Sequence, residues 1–149
     1  MNDKYFVPKI EDFKVGFEYE FQGIPEGWHK MVFSVENSLK TMAYNIKEGY
    51  IRVAYLTKKQ IETEGWKFDS SSKENKVPSK KEDEYISFIR KKKDDAPKGI
   101  FTSNELIYFI NTHKLVINNG EDSDDYYCYF DGECKDINTF RYIYKLLNI

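Results

Sequence analysis

Cysteine, arginine, alanine and histidine are all scarce in this chain, and each scarcity excludes something. Two cysteines, Cys128 and Cys134, are too few for a disulfide scaffold and suit a compartment where thiols stay reduced. No window approaches the apolar run of roughly 18 residues that a membrane span needs. The opening Met1-Asn2-Asp3-Lys4-Tyr5-Phe6-Val7-Pro8 carries charge where a signal peptide requires an apolar run, so the expectation is a cytosolic protein with no membrane partner. Positive charge is not in excess either. The formal net charge is −2 and the isoelectric point near 5.8, which argues against a general polyanion binder. Only three of the 23 basic residues are arginine. The two histidines, His29 and His113, lie outside any recognisable nucleophile motif, and there is no GxSxG, Gly-rich phosphate loop or HExxH.

What is abundant is the aromatic ring: 12 Tyr, 11 Phe and 2 Trp in 149 residues. Such a load predicts a β-rich domain with an aromatic core and rings left over for its surface. Alternation in Lys14–Phe21 predicts a half-buried strand, with Val15, Phe17, Tyr19 and Phe21 on one side and Lys14, Glu18 and Glu20 on the other. Residues 22–27 read as a turn and Trp28–Val35 as the returning strand. Leu39, Met42, Ala43 and Ile46 have helical spacing within 36–47. Ile51–Leu56 reads as a strand, followed by a short helix capped by Thr57 and stopped at Gly65. Further strands are predicted at Trp66–Phe68, Glu84–Arg90, Leu106–Ile110, Lys114–Asn118 and Tyr126–Phe130, with a tight turn at Asn111–His113. Asn138 is the expected cap of a C-terminal amphipathic helix whose apolar face is Phe140, Ile143, Tyr144 and Leu147. The fold expected is α+β, a mainly antiparallel sheet with that helix packed on it. One domain, 1–149, is expected, with mobile loops around 69–83 and 91–99.

The candidate chemistry is a matter of binding groups. Cys128 and Cys134 lie on opposite faces if Asp131-Gly132 is a hairpin turn, and about 20 Å apart if the strand runs straight. Neither arrangement allows a disulfide, and no zinc pattern accompanies them. Glu18 and Glu20 put two carboxylates on one strand face, enough for acid–base work or simply for a solvated surface. The acidic run Glu121–Asp125 lacks the spacing of a calcium loop. Residues 73–98 carry a net charge of +3 and residues 121–136 a net charge of −6, a polarity able to steer an anionic ligand to the middle segment. There Tyr85 and Phe88 offer rings for stacking on a base, and Arg90, Lys91, Lys92 and Lys93 offer cations for phosphates. These six are the candidate ligand-binding residues. No metal or cofactor is expected.

Two blocks, Tyr5-Phe6-Val7-Pro8-Lys9-Ile10-Glu11-Asp12-Phe13-Lys14-Val15-Gly16-Phe17-Glu18-Tyr19-Glu20 and Ile51–Trp66, together with the strand-then-helix ending, resemble a group of short uncharacterised proteins from phages and prophages of Bacteroidota. They cover about a third of the chain and carry no catalytic signature. The resemblance implies a small accessory gene of a mobile element acting in the cytoplasm of a bacterial host. In that setting the expectation is a non-enzymatic, anti-defence binding protein. It would sequester a nucleotide immune signal as a homo-oligomeric sponge, or block a host defence protein. Alternatives are a single-stranded nucleic-acid binder dependent on Lys91, Lys92 and Lys93, which the acidic isoelectric point counts against, and an interaction module docking through the acidic hairpin. A hydrolase using Glu18 or Glu20 is the enzymatic alternative.

Overall fold

The computed structural model describes residues 4–69, 84–91, 103–118 and 128–148; of Lys91 and Ser103 it describes the backbone alone. The expected mobile loops, the acidic run and most of the basic segment lie outside the described residues. The fold is α+β. There are two antiparallel sheets, and the chain groups into two compact units: Met1–Tyr55 with Asp136–Asn138, and Leu56–Lys135 with Thr139–Ile149.

The first unit is a four-stranded sheet in the order β1-β4-β2-β3, formed by β1 (Tyr5–Phe6), β2 (Glu18–Gly23), β3 (Gly27–Val32) and β4 (Ile51–Ala54). Tyr19 and Phe21 point to the side occupied by helix α1 (Leu39–Lys47). There Phe13, Phe17, Tyr19, Phe33, Met42, Ile51 and Val53 make the core. Phe13 is its hub, with ring centroids 4.8 Å from Phe17, 5.4 Å from Tyr19 and 5.6 Å from Phe33. Tilted and edge-on pairs of this kind add roughly 0.5–1.5 kcal/mol each beyond their buried area. The alternation that recruits Val15 to this face stops at Gly16, whose φ of +92° turns the chain, and Val15 is left exposed. Helix α1 starts where Ser38 Oγ accepts the Thr41 N–H.

The second unit is a five-stranded sheet in the order β5-β6-β7-β8-β9: β5 (Lys67–Phe68), β6 (Tyr85–Lys91), β7 (Ser103–Phe109), β8 (Lys114–Asn118) and β9 (Cys128–Glu133). Before it, Thr57 caps helix α2 (Lys58–Thr63) in a reciprocal box with Gln60, and Gly65, at φ +92°, ends the turn. Register places Phe68, Phe88, Leu106, Ile117 and Phe130 in one row across the sheet. This face is the core: Phe88, Leu106, Leu115 and Ile117 are inaccessible to solvent, as are Ile61 and Phe140. Strand β9 runs straight through Asp131 and Gly132, so of the two arrangements open to the cysteines the continuous one holds. Neither cysteine is in a disulfide; Cys128 is exposed and Cys134 buried.

Helix α3 (Ile137–Leu147) buries Phe140 and Ile143 as its spacing predicts. Its start differs from expectation. Asp136 Oδ1 accepts the Asn138 N–H at 2.8 Å, so Asp136 holds the capping position. Asn138 instead clamps the main chain of β2, accepting the Glu18 N–H at 2.7 Å and donating to the Glu18 carbonyl at 3.0 Å. No described helix is long and apolar enough to cross a membrane.

Candidate functional site

All three arginines are described, and each is held at a specific geometry. Arg52 lies on the face of the first sheet opposite its core, in register with Glu20 and on the same side as Tyr5 and Trp28. Its guanidinium carbon sits 3.6 Å from the Tyr5 ring centroid and 4.0 Å from that of Trp28, and its Nε donates to Glu20 Oε2 at 2.7 Å. Glu20 is therefore the counter-ion of a stacked arginine. Arg141 Nε donates to Glu64 Oε1, also at 2.7 Å.

Arg90 has different surroundings. It projects from β6 onto the core-facing side of the second sheet, where its guanidinium carbon lies 4.8 Å from the Tyr144 ring centroid of α3. Directly across β7 is Asn104. On the other flank of β6 lies β5, where Lys67 pairs with Ile89, and Trp66 directly precedes that strand. Trp66 and Asn104 are 2% and 4% exposed, and two of their polar atoms, Trp66 Nε1 and Asn104 Oδ1, are buried without a hydrogen-bond partner among the described residues. One is a donor and the other an acceptor. Leaving a buried polar group unpaired costs about 1–3 kcal/mol, and native chains rarely carry such groups without a reason.

The six residues picked from sequence fall in different places. Phe88 and Arg90 share the core-facing side, but the Phe88 ring is fully buried and packs edge-on against Phe68 at 5.9 Å, out of reach of a stacking base. Tyr85 points to the opposite face, 5.7 Å from the Phe109 ring, so Tyr85 and Phe88 are not brought together. Lys91 ends β6 opposite Ser103; Lys92 and Lys93 lie outside the described residues. The residues that sequence reasoning passed over are Asn104, set opposite Arg90 by strand register, Tyr144, brought to it by α3, and Trp66 before β5.

The opposite face of the same sheet carries a polar cluster. Ser87 Oγ donates to Glu105 Oε1 at 3.4 Å and Asn118 Nδ2 donates to Glu105 Oε2 at 3.1 Å, with Ser87 and Asn118 both buried. At the β7–β8 turn, His113 adopts φ +54° and its Nδ1 lies 3.1 Å from the buried Tyr108 hydroxyl. Burial, first, and the nearby Lys135 hold the His113 pKa below its ordinary 6.5, against a smaller opposing effect of Glu133. Among the described residues no three His, Cys, Asp or Glu side chains converge on a point where a metal ion could sit.

Compared with protein-family models, curated proteins and solved structures, the chain finds no match in any of the three. The chemistry of the Arg90 row has to speak for itself.

Proposed function

We propose that this chain is a non-catalytic binding protein for a small nucleotide, held by Trp66, Arg90 and Asn104 with Tyr144. The observation that carries the reading is the pair of buried atoms, Trp66 Nε1 and Asn104 Oδ1, without hydrogen-bond partners among the described residues. A ligand that presents an acceptor to one and a donor to the other recovers both unmade hydrogen bonds. A base edge carries both kinds of group, and a phosphate matches the fork of a guanidinium. In the mobile-element setting that its sequence blocks suggest, such a protein sequesters a nucleotide signal of host defence, acting as a homo-oligomeric sponge.

A thermal-shift screen against cyclic di- and trinucleotides, cyclic ADP-ribose, ADP-ribose and short single-stranded DNA tests this. A ligand at 100 times its dissociation constant stabilises the folded state by about 2.7 kcal/mol. The expected result is a shift confined to a nucleotide, lost in Arg90→Ala, with the ligand recovered intact after denaturation. A chemically altered ligand makes the protein an enzyme instead. A flat screen overturns the nucleotide reading and leaves a host defence protein as the partner to be sought by pull-down.

A further inference from the structure

Among the described strands, four stand at sheet edges, and three of these are blunted. β1 and β5 are two residues long, and β9 carries Asp131 and Glu133 and a register shift opposite Ile117 and Asn118. β3 is different. It has six residues, no proline and Lys30 as its only formal charge. Trp28, Met31 and Val32 along it, and Ile24 in the turn before it, are all exposed. A long apolar edge is a template for another strand.

The bonding pattern fixes which groups that template offers. The Phe33 N–H donates to the Phe17 carbonyl at 2.8 Å, and the Gln22 N–H donates away from β3, to the Tyr50 carbonyl at 2.9 Å. Main-chain groups alternate sides along a strand, so those of Gly27, His29 and Met31 turn inward to β2. Those of Trp28, Lys30 and Val32 turn outward. The side chains of the outward three share a face with Arg52, whose guanidinium carbon lies 4.0 Å from the Trp28 ring centroid.

An antiparallel partner presents its own outward groups, so two copies of β3 related by a two-fold axis can pair only in registers two residues apart. The register centred on Lys30 sets that ammonium against itself. One step along, Lys30 meets the Trp28 ring that Arg52 already occupies, gathering two cations at one ring. The next step puts Trp28 against Trp28 on the axis and Lys30 against the exposed Glu26 on both sides of it. That register sets an aromatic pair between two pairs of opposite charge. Steps the other way put Lys30 opposite Val32 or Ser34 and bring no acid to it.

We propose that β3 is the self-association edge of this chain. Two copies pair antiparallel through it and join their four-stranded sheets into one, with Trp28 on the axis and Lys30–Glu26 ion pairs setting the register. The homo-oligomeric state rests on the reading above, and β3 supplies the interface for it.

Sedimentation velocity of the full chain over a concentration series tests this. It is run without nucleotide, so that failure here and failure of the nucleotide reading show in separate experiments. A reversible dimer is expected. Lys30→Pro removes an N–H directed away from β2, and proline is tolerated at such an edge position. It should keep the fold by circular dichroism and weaken the dimer by at least about tenfold. Lys30→Glu and Glu26→Lys should each weaken the dimer, and the double variant should restore it; this pair decides the matter should Lys30→Pro not fold. A monomer at every concentration, a dimer indifferent to Lys30→Pro, or a charge reversal that the double variant does not rescue overturns the proposal.

Discussion

Replacing Asn104 by leucine should make the protein more stable and less able to bind. Asn104 is the second residue of β7 at 4% exposure, and its Oδ1 is buried with no partner among the described residues. Taking that oxygen out of water without a compensating bond costs about 1–3 kcal/mol, and a leucine of similar shape removes the cost. Leucine also suits a strand better than asparagine, adding a few tenths of a kcal/mol on a propensity scale that spans about 1 kcal/mol. Allowing for imperfect fit, the expected gain is about 1–2 kcal/mol. For a chain of this size that is a rise in melting temperature of about 2–8 °C. Calorimetry and urea unfolding of Asn104→Leu against the unaltered protein measure it, and an unchanged urea m-value assigns the difference to the folded state. The nucleotide shift should vanish in the same variant, since stability gained at a binding site is commonly bought with function. A loss of 1 kcal/mol or more would refute the reasoning, because it would mean that Oδ1 is hydrogen-bonded in solution. A gain in stability with nucleotide binding intact would keep the energetics and remove Asn104 from the site.

Arg52→Lys should cost about 1–2 kcal/mol, because a lysine keeps the charge facing Glu20 but loses the planar stack between Tyr5 and Trp28. Glu20→Gln should cost less, under about 1 kcal/mol, since the ion pair is partly exposed; urea denaturation of both variants checks the order, and the reverse order would mean that the pair outweighs the stack. For His113, a depressed folded-state pKa means that the unfolded chain binds the extra proton first. Stability is therefore complete above pH 6.5 and falls as the pH drops below it, through the lower pKa of the folded form. His113→Asn, which tolerates the positive φ, should flatten that part of the stability–pH curve, and an unchanged curve would exclude His113 as its source.

Local signals in the sequence were reliable where the determinant itself is local. The cap at Thr57, the stop at Gly65, the turn at Asn111–His113 and the strand Lys114–Asn118 all stand where spacing and turn chemistry put them. Errors came where a distant partner decides. Asn138 has every property of a helix cap, but its amide is engaged 120 positions away on the Glu18 main chain, and Asp136 takes the cap. Asp131-Gly132 is compatible with a hairpin turn or a continuous strand, and β8, which pairs straight through both residues, selects the strand. The division into two sheets was invisible for the same reason: Tyr5 and Phe6 are only a dipeptide until Ala54 and Val53 pair with them. Among the candidate site residues, Arg90 could be picked from sequence as a cation near aromatic rings. Nothing in the linear order separates Tyr85 from Phe88, whereas a period of two places them on opposite faces and buries one of them.

The scarcity of arginine acquires a physical meaning once its positions are known. Among the twenty lysines, Lys58, Lys114 and Lys135 meet Glu62, Asp131 and Glu133 at partly exposed positions, as suits a compact, strongly hydrated ammonium. The three arginines are spent on planarity. Arg52 is layered between two rings with Nε on a carboxylate, Arg141 meets Glu64 through the same atom, and Arg90 lies over Tyr144. For Arg52 and Arg141 the partner carboxylate supplies a structural reason for choosing arginine. Arg90 faces Asn104 across the β6–β7 pair, and Asn104 Oδ1 is buried without a hydrogen-bond partner among the described residues, an arrangement that costs stability unless something else supplies the bond. In the proposed reading the ligand supplies that donor.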